Sequence, residues 1–99
     1  MRRVVITGIG MITPVANTAE ETWQCFLKGK SGTGPLTQID STPFNSKVAA
    51  EVKNFEPSKY MSLKDIKKSD IFVQFGVAAA KMAMEDAKLD ISKEDAHRV

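Results

Sequence analysis

Between Arg3 and Gly10 the chain reads Arg-Val-Val-Ile-Thr-Gly-Ile-Gly, β-branched and nearly continuous in apolar character. Lacking the alternation of a half-exposed strand, this run predicts a strand covered on both faces, as in the middle of an α/β sheet. Gly8 and Gly10 loosen its end, and Pro14 bars a helix from starting there. Helical spacing begins after Thr18. Thr18 is the predicted N-cap and Glu21, three residues on, completes a capping box, while Ala19, Trp23, Phe26 and Leu27 fall on one apolar stripe. Gly29 marks the stop, and Ser31-Gly32-Thr33-Gly34-Pro35 reads as a loop. From Lys47 to Lys53 the pattern alternates, with Val48, Ala50 and Val52 on one side, which predicts a half-exposed strand near a sheet edge.

Pro57 to Tyr60 predicts a turn or short helix, and Leu63 to Lys68 a second short helical stretch. Leu63 and Ile66 are expected inward, with Lys64, Lys67 and Lys68 on the other side. The strongest helix spans about Ser69 to Leu89. Its polar positions Gln74, Lys81, Glu85 and Lys88 make one narrow line, and nearly everything else from Ile71 to Met84 is apolar. Such a helix needs neighbours on several sides, and Gly76 in its interior, costing about 1 kcal/mol against Ala, predicts a close packing contact. Ser92 to Asp95 reads as another capped turn, and Arg98-Val99 as the start of a strand. Two strands and one surface helix cannot wrap the long helix, so residues 1–99 read as one incomplete portion of a larger α/β domain with no internal boundary.

Composition adds exclusions. The chain is 42% apolar and 26% charged with a formal net charge of +2, near globular averages, which argues against a disordered tail. No apolar run approaches the ~20 residues of a membrane span. The apolar run behind Arg2-Arg3 is too short for a secretory leader. A single Cys excludes an internal disulfide framework and fits a reducing compartment. The expectation is a soluble cytoplasmic chain with neither membrane nor nucleic acid as a partner.

Candidate chemistry is sparse. Gly8-Ile9-Gly10 after a strand invites a dinucleotide-binding reading, but the third glycine is replaced by Thr13 and the helix opens only near Thr18, so a structural turn is favoured. No Gly-Lys-Ser/Thr follows, which excludes a P-loop. Cys25 lies within a helix and away from any His, the setting of an unreactive thiol and not of a nucleophile. His97 is the sole imidazole and has no second ligand at metal spacing. No cofactor and no metal is therefore expected. Lys64, Lys67 and Lys68 share one side of a short helix with only Asp65 and Asp70 as acidic neighbours. They form either a solvated face or a docking site for an acidic partner; the absence of interleaved aromatics argues against nucleic acid.

Several motifs together carry a resemblance. Arg2-Arg3-Val4-Val5-Ile6-Thr7-Gly8-Ile9-Gly10-Met11-Ile12-Thr13-Pro14-Val15, then Thr22-Trp23, Gly29-Lys30-Ser31-Gly32, Ala50-Glu51-Val52-Lys53-Asn54-Phe55, Asp70-Ile71-Phe72-Val73-Gln74-Phe75, Ala78-Ala79-Ala80 and Glu85-Asp86-Ala87 resemble, in order, the opening of the β-ketoacyl-acyl-carrier-protein synthases, the type II enzymes in particular. The resemblance spans the chain and about the first quarter of such an enzyme. It implies part of the N-terminal half of a thiolase-like layered αβαβα fold, a homodimer, and decarboxylative condensation of malonyl-carrier protein with an acyl group held on a Cys, giving a 3-oxoacyl product. The family's Cys and two His lie well downstream, so no catalytic residue is expected among these 99 and no such role falls on Cys25 or His97. It also implies that Lys64, Lys67 and Lys68 contact the acyl carrier protein. Ala16, Ser69 and Lys88 depart from the family pattern, Ala16 and Lys88 at places where Gly is common. A Cys-less chain-length-factor homologue, a stand-alone α/β interaction module and, weakest, a nicotinamide-binding enzyme are the competing readings.

Overall fold

A computed structural model describes residues 1–99. The regular elements are α1 (Ala19–Leu27), β1 (Thr33–Pro35), β2 (Val48–Ala50), α2 (Leu63–Lys68) and α3 (Ile71–Ala87), with single 3-10 turns at Pro57–Lys59 and Ile91–Lys93.

The organising element is α3. Asp70 stands at its N-cap in extended conformation, and the helix ends at Lys88, whose φ of 53° is left-handed. The Leu89 amide donates to the Met84 carbonyl and the Lys88 amide to Glu85, so the closing turn takes the backbone shape that glycine adopts without steric cost. That is one of the positions where the chain departs from the family pattern. At the other, Ala16, φ is not positive and alanine is accommodated.

Residues Arg3–Gly10 form no strand, and their last three, Gly8 to Gly10, lie against α3. The expectation of a paired strand fails here because a ladder needs a neighbour, and this chain supplies none beside it; Val4 is 95% exposed. One face is nevertheless engaged. A Cβ on Gly8 would lie 2.6 Å from the Ala87 nitrogen and one on Gly10 2.7 Å from that of Ala83, with the carbonyls of Ala83 and Ala79 closer still. Ala79, Ala83 and Ala87, spaced by four, present the smooth stripe that admits this approach. The Ile9 amide donates to Asp86 Oδ2 at 2.9 Å, fixing the register between the two segments. Gly76, expected to mark the close contact, is exposed and meets nothing within 4 Å; the approach falls further along the helix.

The following loop closes on itself. Thr13 Oγ1 donates to the Ala16 carbonyl at 3.0 Å and accepts from the Ala16 amide at 3.1 Å. With its one proton so used, Thr13 accepts from Thr22 Oγ1 at 3.0 Å. This explains why Thr22, and not the apolar stripe, is the buried residue of α1. The apolar stripe itself is exposed, Trp23, Phe26 and Leu27 by 57%, 56% and 61%. The Thr18 side chain accepts from the Glu21 amide at 3.2 Å, which is the N-cap half of the predicted capping box, and Gly29 takes φ 68° just past the helix end, as the sequence predicts.

β2 forms where alternation placed it, but its partner is the segment that reads as a loop. β1 and β2 pair antiparallel with Thr33 opposite Ala50, Gly34 opposite Ala49 and Pro35 opposite Val48. Val48 and Ala50 face solvent while Ala49 is half-buried, which inverts the expected facing. At the other end, the 3-10 turn Ile91–Lys93 is capped by Asp90 and not by Ser92, and Arg98-Val99 is not a strand.

Across the chain only Thr22, Gln74 and Ala78 are fully buried. A globular chain of 10.9 kDa exposes about 5,600 Å²; this one exposes 8151 Å². Its radius of gyration is 16.9 Å, against about 12.6 Å for a compact domain of this length. The apolar faces of α1, of α3 and of the N-terminal segment therefore need cover from other polypeptide, which disfavours the stand-alone module.

In the intact protein, Gly10→Ala is expected to destabilise by about 1–3 kcal/mol in urea unfolding, since backbone and not a flexible side chain occupies the space. Gly34→Ala, where a Cβ meets nothing within 4 Å, should change stability by less than about 1 kcal/mol.

Candidate functional site

α2 carries the lysines. Ser62 caps it, accepting from the Asp65 amide at 3.2 Å and donating from its hydroxyl to Asp65 Oδ2 at 2.7 Å. The helix buries no residue completely. Ile66 is half-buried, but Leu63, expected inward, is 71% exposed. One turn earlier, Phe55 stacks on Tyr60 at 6.2 Å between centroids and meets Phe75 of α3 edge-on at 4.9 Å. The Lys81 ammonium donates to the Tyr60 carbonyl. These contacts hold the approach to α2 against α3.

Lys64, Lys67 and Lys68 are all exposed. The ion pairs of the structure, Lys59–Glu56 and Lys93–Asp90, involve none of them. Asp65 is occupied by the Ser62 hydroxyl, so the acidic neighbour nearest in sequence is turned to capping. The three ammonium groups thus form an uncompensated cationic face on one short helix, suited to attracting an acidic surface. Lys67 and Lys68 stand in its last turn, where cations also favour the exposed carbonyl end.

Gln74, one of the polar positions aligned along α3, is only 6% exposed. Its Nε2 donates to the carbonyls of Ile66 at 3.3 Å and Ser69 at 3.2 Å, joining the end of α2 to α3. The signal was present in the sequence as a single amide inside an otherwise apolar run, but helical spacing aligned it with true surface residues.

The other candidates are structural. Cys25 is half-buried and free, its thiol 3.7 Å from the Val15 carbonyl. It lines an open cleft of about 540 Å³ with Pro14, Asn17, Glu20, Lys53 and Asn54. Asn17 Nδ2 there donates to the carbonyls of Lys53 and Asn54, tying the loop after Gly10 to the segment after β2. His97 is exposed and only its backbone amide is bonded, to Asp95 Oδ1. No group of three His, Cys, Asp or Glu side chains is placed to hold a metal. Gly8 and Gly10 lie against the α3 backbone and not at a helix N-terminus, so the phosphate-cradle reading has no geometry here.

The distinctive electrostatic feature outside α2 is Glu51. Desolvation pushes its carboxyl up, but hydrogen bonds from the Thr37 hydroxyl, the Thr37 amide and the Gln38 amide, with Lys53 nearby, outweigh it and hold the group below its ordinary 4.5. The distances are 2.9, 3.0 and 3.0 Å. The Asp40 and Asp90 carboxyls are held low by the hydroxyls of Thr42 and Ser92.

This geometry belongs to a known class. A family model described as the β-ketoacyl synthase N-terminal domain matches residues 1–99, and the chain belongs to that family. It is 46% identical over 98 residues to the 3-oxoacyl-[acyl-carrier-protein] synthase 2 of Coxiella burnetii, covering 99% of this chain and 24% of that protein. The enzyme of the same name from Vibrio harveyi stands at 46% with the same coverage, and that of Staphylococcus aureus at 39%. The chain thus spans about a quarter of the length of these relatives. Among solved structures, the ishigamide ketosynthase/chain length factor superposes with a TM-score of 0.78 at 37% identity, over 92% of this chain and 23% of that one. A type II PKS acyl-carrier protein in complex with its ketosynthase gives 0.70 at 26%, with the same coverage. The fold class is α/β of the thiolase-like kind, as expected from the sequence.

Since its folded value is lowered, Glu51 supports the β1–β2 ribbon above its ordinary pKa of 4.5 and ceases to do so as pH falls through the lowered value. NMR titration should place its midpoint below 4.5, and Thr37→Val should move that midpoint upward.

Proposed function

We propose that this chain is the N-terminal portion of a type II condensing enzyme of fatty-acid biosynthesis, one that elongates an acyl chain on acyl carrier protein with a malonyl unit. In that reaction a cysteine thiolate takes the acyl group from a carrier-protein thioester and releases the carrier thiol. Malonyl-carrier protein then loses CO2, and the carbanion so formed attacks the acyl-enzyme thioester, expelling the thiolate and giving the 3-oxoacyl product. The cysteine and two histidines that perform these steps belong to the part of the enzyme beyond residue 99, so residues 1–99 contribute scaffold and docking surface and are inactive alone. The parent works in the cytoplasm as a homodimer, and residues 1–99 form one incomplete stretch of its N-terminal domain. No helix here is long and apolar enough to cross a membrane.

The observation that carries the docking half of this reading is the unpaired cationic face of Lys64, Lys67 and Lys68 on α2. Carrier proteins of type II systems are acidic, and clustered opposite charge steers association. The solved relative in which an acyl-carrier protein sits on its ketosynthase supports a carrier protein as the partner. A second reading, a homologue without the nucleophile, draws on the similarity to the ishigamide ketosynthase/chain length factor.

In the full-length synthase, Lys64→Glu combined with Lys67→Glu should raise KM for acyl carrier protein by roughly tenfold at low salt, an effect that shrinks as salt screens the charges. Decarboxylation of a small malonyl thioester should change little. Carrier-protein kinetics unchanged at low salt would refute the docking assignment, and a full-length protein without the nucleophile cysteine would refute the condensing activity.

A further inference from the structure

The lysine face sits on a helix of six residues that buries none of them completely. So short a helix has little stability of its own, and with Leu63 exposed and Ile66 only half-buried, apolar packing cannot fix where its lysines point. Polar contacts do. At the N-terminal end Ser62 closes the first turn through Asp65. At the C-terminal end Ser69 Oγ donates to the Asp65 carbonyl at 2.8 Å, and Gln74 Nε2 donates to the carbonyls of Ile66 and Ser69. Ser62, Asp65 and Ser69 lie on α2 or at its edges and move with it. Gln74 lies on the first turns of α3 and is 6% exposed, so it couples α2 to a fixed neighbour.

We infer that Gln74 is a positioning residue for the docking face: its amide holds the last turn of α2 in the orientation that presents Lys64, Lys67 and Lys68 together to an acidic partner. This rests on the docking reading given under Proposed function. The physical basis is the set of orphan carbonyls at a helix end. Ile66 C=O lies in the last turn, beside Lys67 and Lys68, and has no onward helical amide to accept from except the long 3.4 Å contact with Ser69. Without the Gln74 amide the turn is free to fray, and the three lysines lose their common direction while keeping their charge. The surrounding side chains of α3 are apolar, so no other group on that helix substitutes for the two donors.

The test uses the full-length synthase with purified acyl carrier protein. Gln74→Met keeps length and volume but removes both donors; Gln74→Asn keeps the amide but is too short to reach both carbonyls, and serves if the Met variant does not accumulate. Either should raise KM for carrier protein by about three- to tenfold, the range that follows from blurring a few exposed charge pairs, with kcat held within about twofold. Amide exchange at Ile66 to Ser69 should quicken. In a background carrying Lys64→Ala and Lys67→Ala, the Gln74 change should add little further, because there is less charge left to orient. An unaltered KM in both Gln74 variants, while the lysine reversals raise it, would overturn the positioning role and leave docking intact. An effect fully additive to the lysine changes, or a fall in kcat with KM unmoved, would overturn it as well. If the lysine reversals themselves have no effect, the docking reading falls first and Gln74 with it.

Discussion

The approach of Gly8 and Gly10 to the backbone of α3 is the interaction on which the rest of the structure depends. Two absent side chains on one segment and three alanines on the other bring an extended strand-like run and a helix closer than ordinary packing permits. The Ile9 amide on Asp86 locks them in one register. From that contact the chain is led to the Thr13–Ala16 loop, whose hydroxyl pairs with buried Thr22 and so sets which face of α1 turns inward. Asn17 then ties the same loop to Lys53 and Asn54. A series of polar contacts thus spaces the elements, while most of the large apolar side chains stay exposed.

The same division of labour marks α2. Its position is held by capping hydroxyls and one buried amide, and its cations are left without intramolecular partners. Internal ion pairs would cancel the field of such a cationic face. A helix held by hydrogen bonds at its ends presents charge with little apolar surface of its own. Cys25 donates weakly to the Val15 carbonyl and His97 is exposed.

What the sequence made legible follows from how local each signal is. Thr18 as a cap, Gly29 as a stop, Leu63–Lys68 as a short helix and the extent of α3 are set within a turn or two, and the structure places them there to within two residues. The lysine face was readable because spacing three and four within six residues determines a shared side. Long-range facts were not. β1 consists of Thr33-Gly34-Pro35, a turn-like composition that becomes a strand only because Val48–Ala50 lies beside it. Arg3–Gly10 carries a strand sequence but no neighbour in this chain to pair with. The stripe of Trp23, Phe26 and Leu27 was correctly seen as a stripe, yet which side faces in was decided by the Thr13–Thr22 hydrogen bond. The burial of Gln74 is not legible in sequence because polarity normally means solvent, and only the α2 carbonyls reveal its use. Family membership, carried by motif order along the whole chain, was the part most independent of such packing.

Under the proposed function, α3 and the N-terminal segment are covered by the remainder of a synthase. Amide hydrogen exchange tests it most directly, comparing the 99-residue chain alone with the same residues joined to the rest of the enzyme. In the chain alone, Ile71 to Met84 should exchange quickly, with protection far below that of a stable core. In the full-length enzyme the same amides should be among the slowest. Strong protection of Ile71 to Met84 in the isolated monomer would contradict the claim and return the chain to the class of small independent modules.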